Sequence, residues 1–264
     1  MIRREVCKSH LFKRKSSKLI GVFLVYFGLI IFFHSLPAAQ GEVSVGLFSK
    51  AMPGGQFPSG WQPLLFKSIE NHTKYTLIDD SGHTVVKAVS EASSSGLIRH
   101  VRIDPEKYPI IEWRWKITNV FTKGDVTQKG GDDYPARLYI TFELDPKKGG
   151  FLDKTKNKAL KLFFGKAPPA GAINYIWANK APIGAIVPSP YTSRSMMMVV
   201  QSGEENLNQW VTQKRNISAD YMAAFGKKPP MISGIAIMTD GNDTGESAVA
   251  YYGDIVMKSK VQKP

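Results

Sequence analysis

From Val45 onward, apolar and polar residues alternate largely with a period of two, the spacing of extended strands whose successive side chains point to opposite faces. The clearest run is Ile110–Thr118, with Ile111, Trp113, Trp115 and Ile117 on one side and Glu112, Arg114 and Lys116 on the other. Arg137–Leu144 repeats the arrangement, with Leu138, Ile140 and Phe142 set against Arg137, Tyr139, Thr141 and Glu143. Thr73–Ile78 and Thr84–Val89 flank Asp79-Asp80-Ser81-Gly82-His83, a string of turn formers that predicts a hairpin. Further strands are predicted over Gly96–Ile103, Ala172–Trp177, Met196–Ser202, Trp210–Asn216, Met231–Thr239 and Ser247–Val256. About ten short strands separated by Gly, Pro and Asn predict an all-β, jelly-roll-like β-sandwich.

Two short helices interrupt this pattern. Phe151–Phe164 sets Leu152, Leu160 and Phe163 on one stripe opposite lysines, a basic amphipathic surface suited to solvent or to anionic lipid. In the second, Ser218 is the expected N-cap, Asp220 complements the helix dipole and Gly226 supplies the stop. No repeat, low-complexity tract or interdomain linker divides residues 42–264, which read as a single domain.

The N-terminus has a different character. Leu19–Phe33 is an uncharged apolar run preceded by Arg3, Arg4, Lys8, Lys13, Arg14, Lys15 and Lys18 and followed by Pro37-Ala38-Ala39-Gln40-Gly41. Basic segment, apolar run, then breaker and small residues is the order of a secretory signal. Residues 1–41 are therefore expected to be a signal peptide cleaved near Ala38–Gly41, or a signal anchor retained in the inner membrane with its cations inside. Either way the body is expected in the periplasm or otherwise outside the cytoplasm.

That assignment changes the meaning of the charge. The 264 residues carry +13, of which the leader supplies +6 from seven cations and one acid. The remainder is moderate and lacks an Arg-aromatic RNA-binding signature, so no nucleic-acid partner is expected. The single cysteine, Cys7, also lies in the leader. A body without cysteine has no disulfide, thiol nucleophile or thiolate metal site.

Several stretches resemble a family of exported bacterial proteins known only as a domain of unknown function. They are WRWK at 113–116, GDDYPARLYITF at 131–142, NYIWAN at 174–179, QWVTQKRNISADYMAAFG at 209–226, GIAIMTDGNDTG at 234–245 and AYYGDI at 250–255. The resemblance spans about residues 57–256 and implies an extracytoplasmic jelly-roll-like β-sandwich; it brings no activity and no catalytic residues.

Apart from the lysine-rich helix, candidate chemistry falls in two places. If the two charged strands pair, Glu112, Arg114, Arg137, Tyr139 and Glu143 line one polar face, with Asp133 in the loop opening onto it. That face is either solvated or a groove for a polysaccharide or polar small molecule, in which arginine forks bind anions and Tyr139 or Trp177 stacks on a sugar. Glu112 and Glu143 would be the carboxylates of a glycosidase-like pair if their separation allowed it. Asp240, Asn242 and Thr244 alternate as in the first half of a calcium loop, but Tyr251 stands where a bidentate Glu is required; a looser structural Ca2+ site would recruit Asp254, and a polar turn is the plain alternative. Trp113 and Trp115 read as core. There is no G-x-S-x-G elbow, Walker loop, H-E-x-x-H or Rossmann fingerprint. The sequence thus favours a non-catalytic envelope binding module over a polysaccharide hydrolase or lyase, or an anchored structural protein.

Overall fold

A computed structural model describes residues 41–143 and 171–260. The leader and the lysine-rich Phe151–Phe164 segment lie outside the described residues.

Among the described residues, thirteen strands form two sheets. The first runs β11 (Val211–Asn216), β6 (Ile110–Ile117), β13 (Ser247–Lys258), β4 (His83–Glu91) and β3 (Lys74–Asp80), with β1 (Glu42–Gly46) paired to the far half of β13. The second runs β2 (Trp61–Leu64), β5 (Ser94–Ile103), β12 (Ile232–Asp240), β7 (Arg137–Phe142), β8 (Gly171–Ala178), β10 (Thr192–Ser202) and β9 (Ile186–Ser189). Neighbours are antiparallel except β8 and β10. The second sheet ends on both sides in a strand of four residues that contains a proline, Pro63 in β2 and Pro188 in β9.

The alternation read from the sequence builds the core. Ile111, Trp113, Trp115 and Ile117 from the first sheet meet Leu138, Ile140, Phe142, Tyr175 and Trp177 from the second in one buried cluster. Aromatic rings bridge the layers: Trp113 stacks on Tyr175 with centroids 5.2 Å apart, and Trp115 lies 6.1 Å from Trp177. The result is an all-β, two-layer sandwich.

The two outer faces differ. On the first sheet, Glu112, Arg114 and Lys116 stay partly exposed. On the second, the outer face is itself covered. Ile176, Ala178, Met197 and Val199 are buried beneath Val126 and Tyr134, and Tyr139 packs beside Leu64, Phe66 and Met238. β8 is consequently buried at every position.

A single α-helix, α1 (Ile217–Phe225), is found among the described residues. Its N-cap is Asn216, whose Oδ1 accepts the Ala219 N–H at 3.1 Å; Ser218, the expected cap, donates instead to the Pro105 carbonyl at 2.6 Å. Asn216 ends β11 in extended conformation, which leaves its side chain free to reach the first turn. Gly226 closes the helix at φ 66°, a left-handed position suited to glycine. Tyr175 and Arg215 hold the helix through Asp220, whose carboxylate accepts both.

Candidate functional site

The groove expected from pairing of the two charged strands is not formed. β6 pairs with β11 and β13, whereas β7 pairs with β12 and β8 in the other sheet. Arg114 and Arg137 therefore do not share a surface.

Arg137 is buried, and it organises a polar cluster rather than a ligand groove. Its Nε donates to Asp240 Oδ1 at 2.8 Å and its Nη2 is bonded to Asp240 Oδ2 and to the Asp132 carbonyl. Nη1 reaches the Tyr139 hydroxyl at 3.1 Å, and the guanidinium lies 4.3 Å from the Tyr134 ring centre. Burial raises the carboxyls of Asp240 and Asp132, with Arg137 opposing, and nearby Asp133 raises both further. Burial likewise pushes the Tyr139 hydroxyl up to about 12, with Arg137 opposing. Asp133 is buried and accepts the Thr244 N–H and hydroxyl at 2.5 and 2.8 Å. This knot ties the loop before β7 to the β12–β13 connection.

The remaining expected residues disperse. Trp177 is fully buried and donates its indole N–H to the Gly203 carbonyl at 3.1 Å, so no ring face is open to a sugar. Glu143, just past β7, pairs with Arg102 at 2.8 Å. Glu112 is in the other sheet between Lys258 and Lys214; the hydrogen bond from Lys258 holds its carboxyl below the usual range. The calcium set does not converge. Asp240 is engaged by Arg137, Asn242 donates to Asp243, Thr244 to Asp133, and Asp254 accepts from Ser49 N and Oγ at 2.8 and 2.5 Å. Among the described residues, no three His, Cys, Asp or Glu side chains group as a metal site.

What the fold does assemble is on the outer face of the first sheet. Register places Lys87, Tyr251 and Lys116 side by side across β4, β13 and β6. Lys116 Nζ lies 4.5 Å from the Tyr251 ring centre and 5.1 Å from that of Trp210, and donates to Asp80 Oδ2 at 2.8 Å. The Trp210 indole N–H donates to the same oxygen at 2.7 Å. The Lys116 hydrogen bond holds the Asp80 carboxyl below its ordinary value despite partial burial.

Arg114 lies along the same face with its Cζ 4.5 Å from the Trp210 ring centre. Gly253 makes that position available, since a Cβ there would come 2.6 Å from Arg114 Cγ and Nε. Arg114 and Lys87 stand in no ion pair among the described residues. Sequence reasoning identified Arg114 and Glu112 but missed Trp210, Tyr251, Asp80, Lys87 and Gly253. Alternation alone could have marked Lys87 and Tyr251 as outward-facing; the adjacency of β4, β13 and β6 was not readable.

No curated protein sequence matches the chain. Among the solved structures that overlap part of it are two of low identity. The enzymatically active domain of tailspike protein 4 from bacteriophage CBA120 is 10% identical over 76% of this chain and 19% of its own, with a TM-score of 0.35. An exo-beta-agarase is 12% identical over 79% of this chain and 24% of its own, with a TM-score of 0.31. The chain thus spans about a fifth to a quarter of those proteins. A protein family matches residues 59–256, from the start of β2 through most of β13, and by that match the chain belongs to the family described as "Protein of unknown function (DUF3047)".

Proposed function

We propose that this chain is an extracytoplasmic, non-catalytic binding module that holds a polar, carbohydrate-like ligand of the cell envelope across the outer face of its first sheet. The observation that carries the reading is the row of Lys87, Tyr251 and Lys116 set side by side by strand register, beside Arg114 lying on Trp210, with Arg114 and Lys87 in no ion pair among the described residues. Ordered donors on a rigid sheet bind with little ordering cost. Cleavage of a polysaccharide is the weaker reading. Glu112 and Glu143 belong to different parts of the sandwich and each is neutralised in its own ion pair, whereas acid and base must flank one bond. Export rests on the leader, whose order of basic, apolar and small residues is that of a secretory signal.

The test is a screen of the full chain against envelope and matrix polysaccharides, followed by titration calorimetry. Binding that weakens about tenfold in Arg114→Ala, the loss of one charge-assisted contact, supports the reading. Absence of binding, or affinity unchanged in an Arg114→Ala/Trp210→Ala double variant, overturns it.

A further inference from the structure

We infer that the ligand of this face is an acidic polysaccharide, recognised through its carboxylate or sulfate groups by Arg114 and Lys87. The inference rests on the reading that the face binds a carbohydrate-like ligand, and specifies which class.

The aromatic rings do not offer themselves as bare platforms. Trp210 already carries Arg114 and Lys116 against it, and Tyr251 carries Lys116. Their task is to hold cations in place. Lys116 is paired with Asp80, which also attracts Arg114 at longer range, while Arg114 and Lys87 form no ion pair among the described residues. A flat guanidinium presents parallel N–H groups that fit a carboxylate or sulfate. Gly253 is a positioning residue in this arrangement: it makes no bond to the ligand but leaves the space along which Arg114 lies.

Other polyanions fit less well. A membrane surface calls for exposed apolar residues beside the cations. The exposed large apolar side chains, Met52, Leu65, Ile183, Ile186, Tyr191 and Met222, lie on none of β11, β6, β13 or β4. Single-stranded nucleic acid binds by stacking bases on open rings. Here both rings carry cations.

Calorimetry of the full chain with polygalacturonate, its carboxyl-reduced neutral counterpart, dextran sulfate and vesicles of anionic phospholipid tests this, each at low and near-physiological salt. The expected result is binding of polygalacturonate or dextran sulfate that weakens with salt and falls about tenfold in each of Arg114→Ala and Lys87→Ala. Gly253→Ala, which keeps every charge but displaces Arg114, is expected to weaken binding as well, with the melting temperature of each variant confirming its fold. Equal binding of the neutral polymer, indifferent to both cations, overturns the acidic class and leaves a carbohydrate module standing. Binding to vesicles alone overturns a polysaccharide ligand. No binding to any probe removes the carbohydrate reading together with this one.

Discussion

At the scale of single residues, the most consequential side chain is Arg137. It is buried with Asp240 and Asp132, and Asp133 is close enough to raise both carboxyls. A carboxyl raised in the folded state contributes stability that is fully present below its unfolded pKa and lost as pH climbs through the folded value. Asp132 is raised chiefly by burial. Asp132→Asn removes this loss, so its melting temperature relative to the parent is expected to rise as pH increases from about 4 to about 8. Thermal melts across that range check it, and a difference that stays constant with pH would refute the protonation argument. Arg137 also marks where sequence reasoning stopped. Period two correctly separated it from Leu138 and Ile140, but cannot distinguish solvent from a second buried layer on the far side of the sheet. Trp177 shows the same ambiguity: set between Asn174 and Asn179 at the end of a predicted strand, it stood both as a core residue and as a candidate sugar platform, and tertiary packing settles it as core.

At the scale of elements, alternation located β3 to β8 and β10 to β13 within a few residues. β1, β2 and β9 carried too little pattern in four or five residues to stand out. The short helix was legible because glycine stops are local chemistry, although its cap fell two residues earlier than expected. Since Asn216 Oδ1 satisfies the Ala219 N–H, Asn216→Ala is expected to cost about 1 kcal/mol. Ser218→Ala loses a bond to a loop carbonyl without uncapping the helix and should leave the α1 amides as protected as in the parent. Urea unfolding and amide exchange of both variants separate the two roles; equal loss of protection in α1 would show that Asn216 is not the cap.

At the scale of the whole molecule, fold class was readable because two apolar faces must be buried against one another, and that requirement yields two layers whatever the strand order. The order itself depends on pairings far apart in sequence, such as β6 with β13 and β7 with β12, which no local pattern encodes. The expected groove failed at that level, and for the same reason the row on the outer face of the first sheet could not be foreseen. Export belongs to this scale too. Mass spectrometry of the native protein is expected to find a chain beginning between Ala39 and Glu42, whereas an intact N-terminus would establish retention of the leader. One further property follows from the proline-bearing four-residue strands that bound the second sheet. Proline has no amide hydrogen to lend, and so short a margin exposes too few free groups to template a neighbour. Lateral growth into ribbons or fibrils is discouraged at both borders, so the layer stays finite even where many copies crowd together.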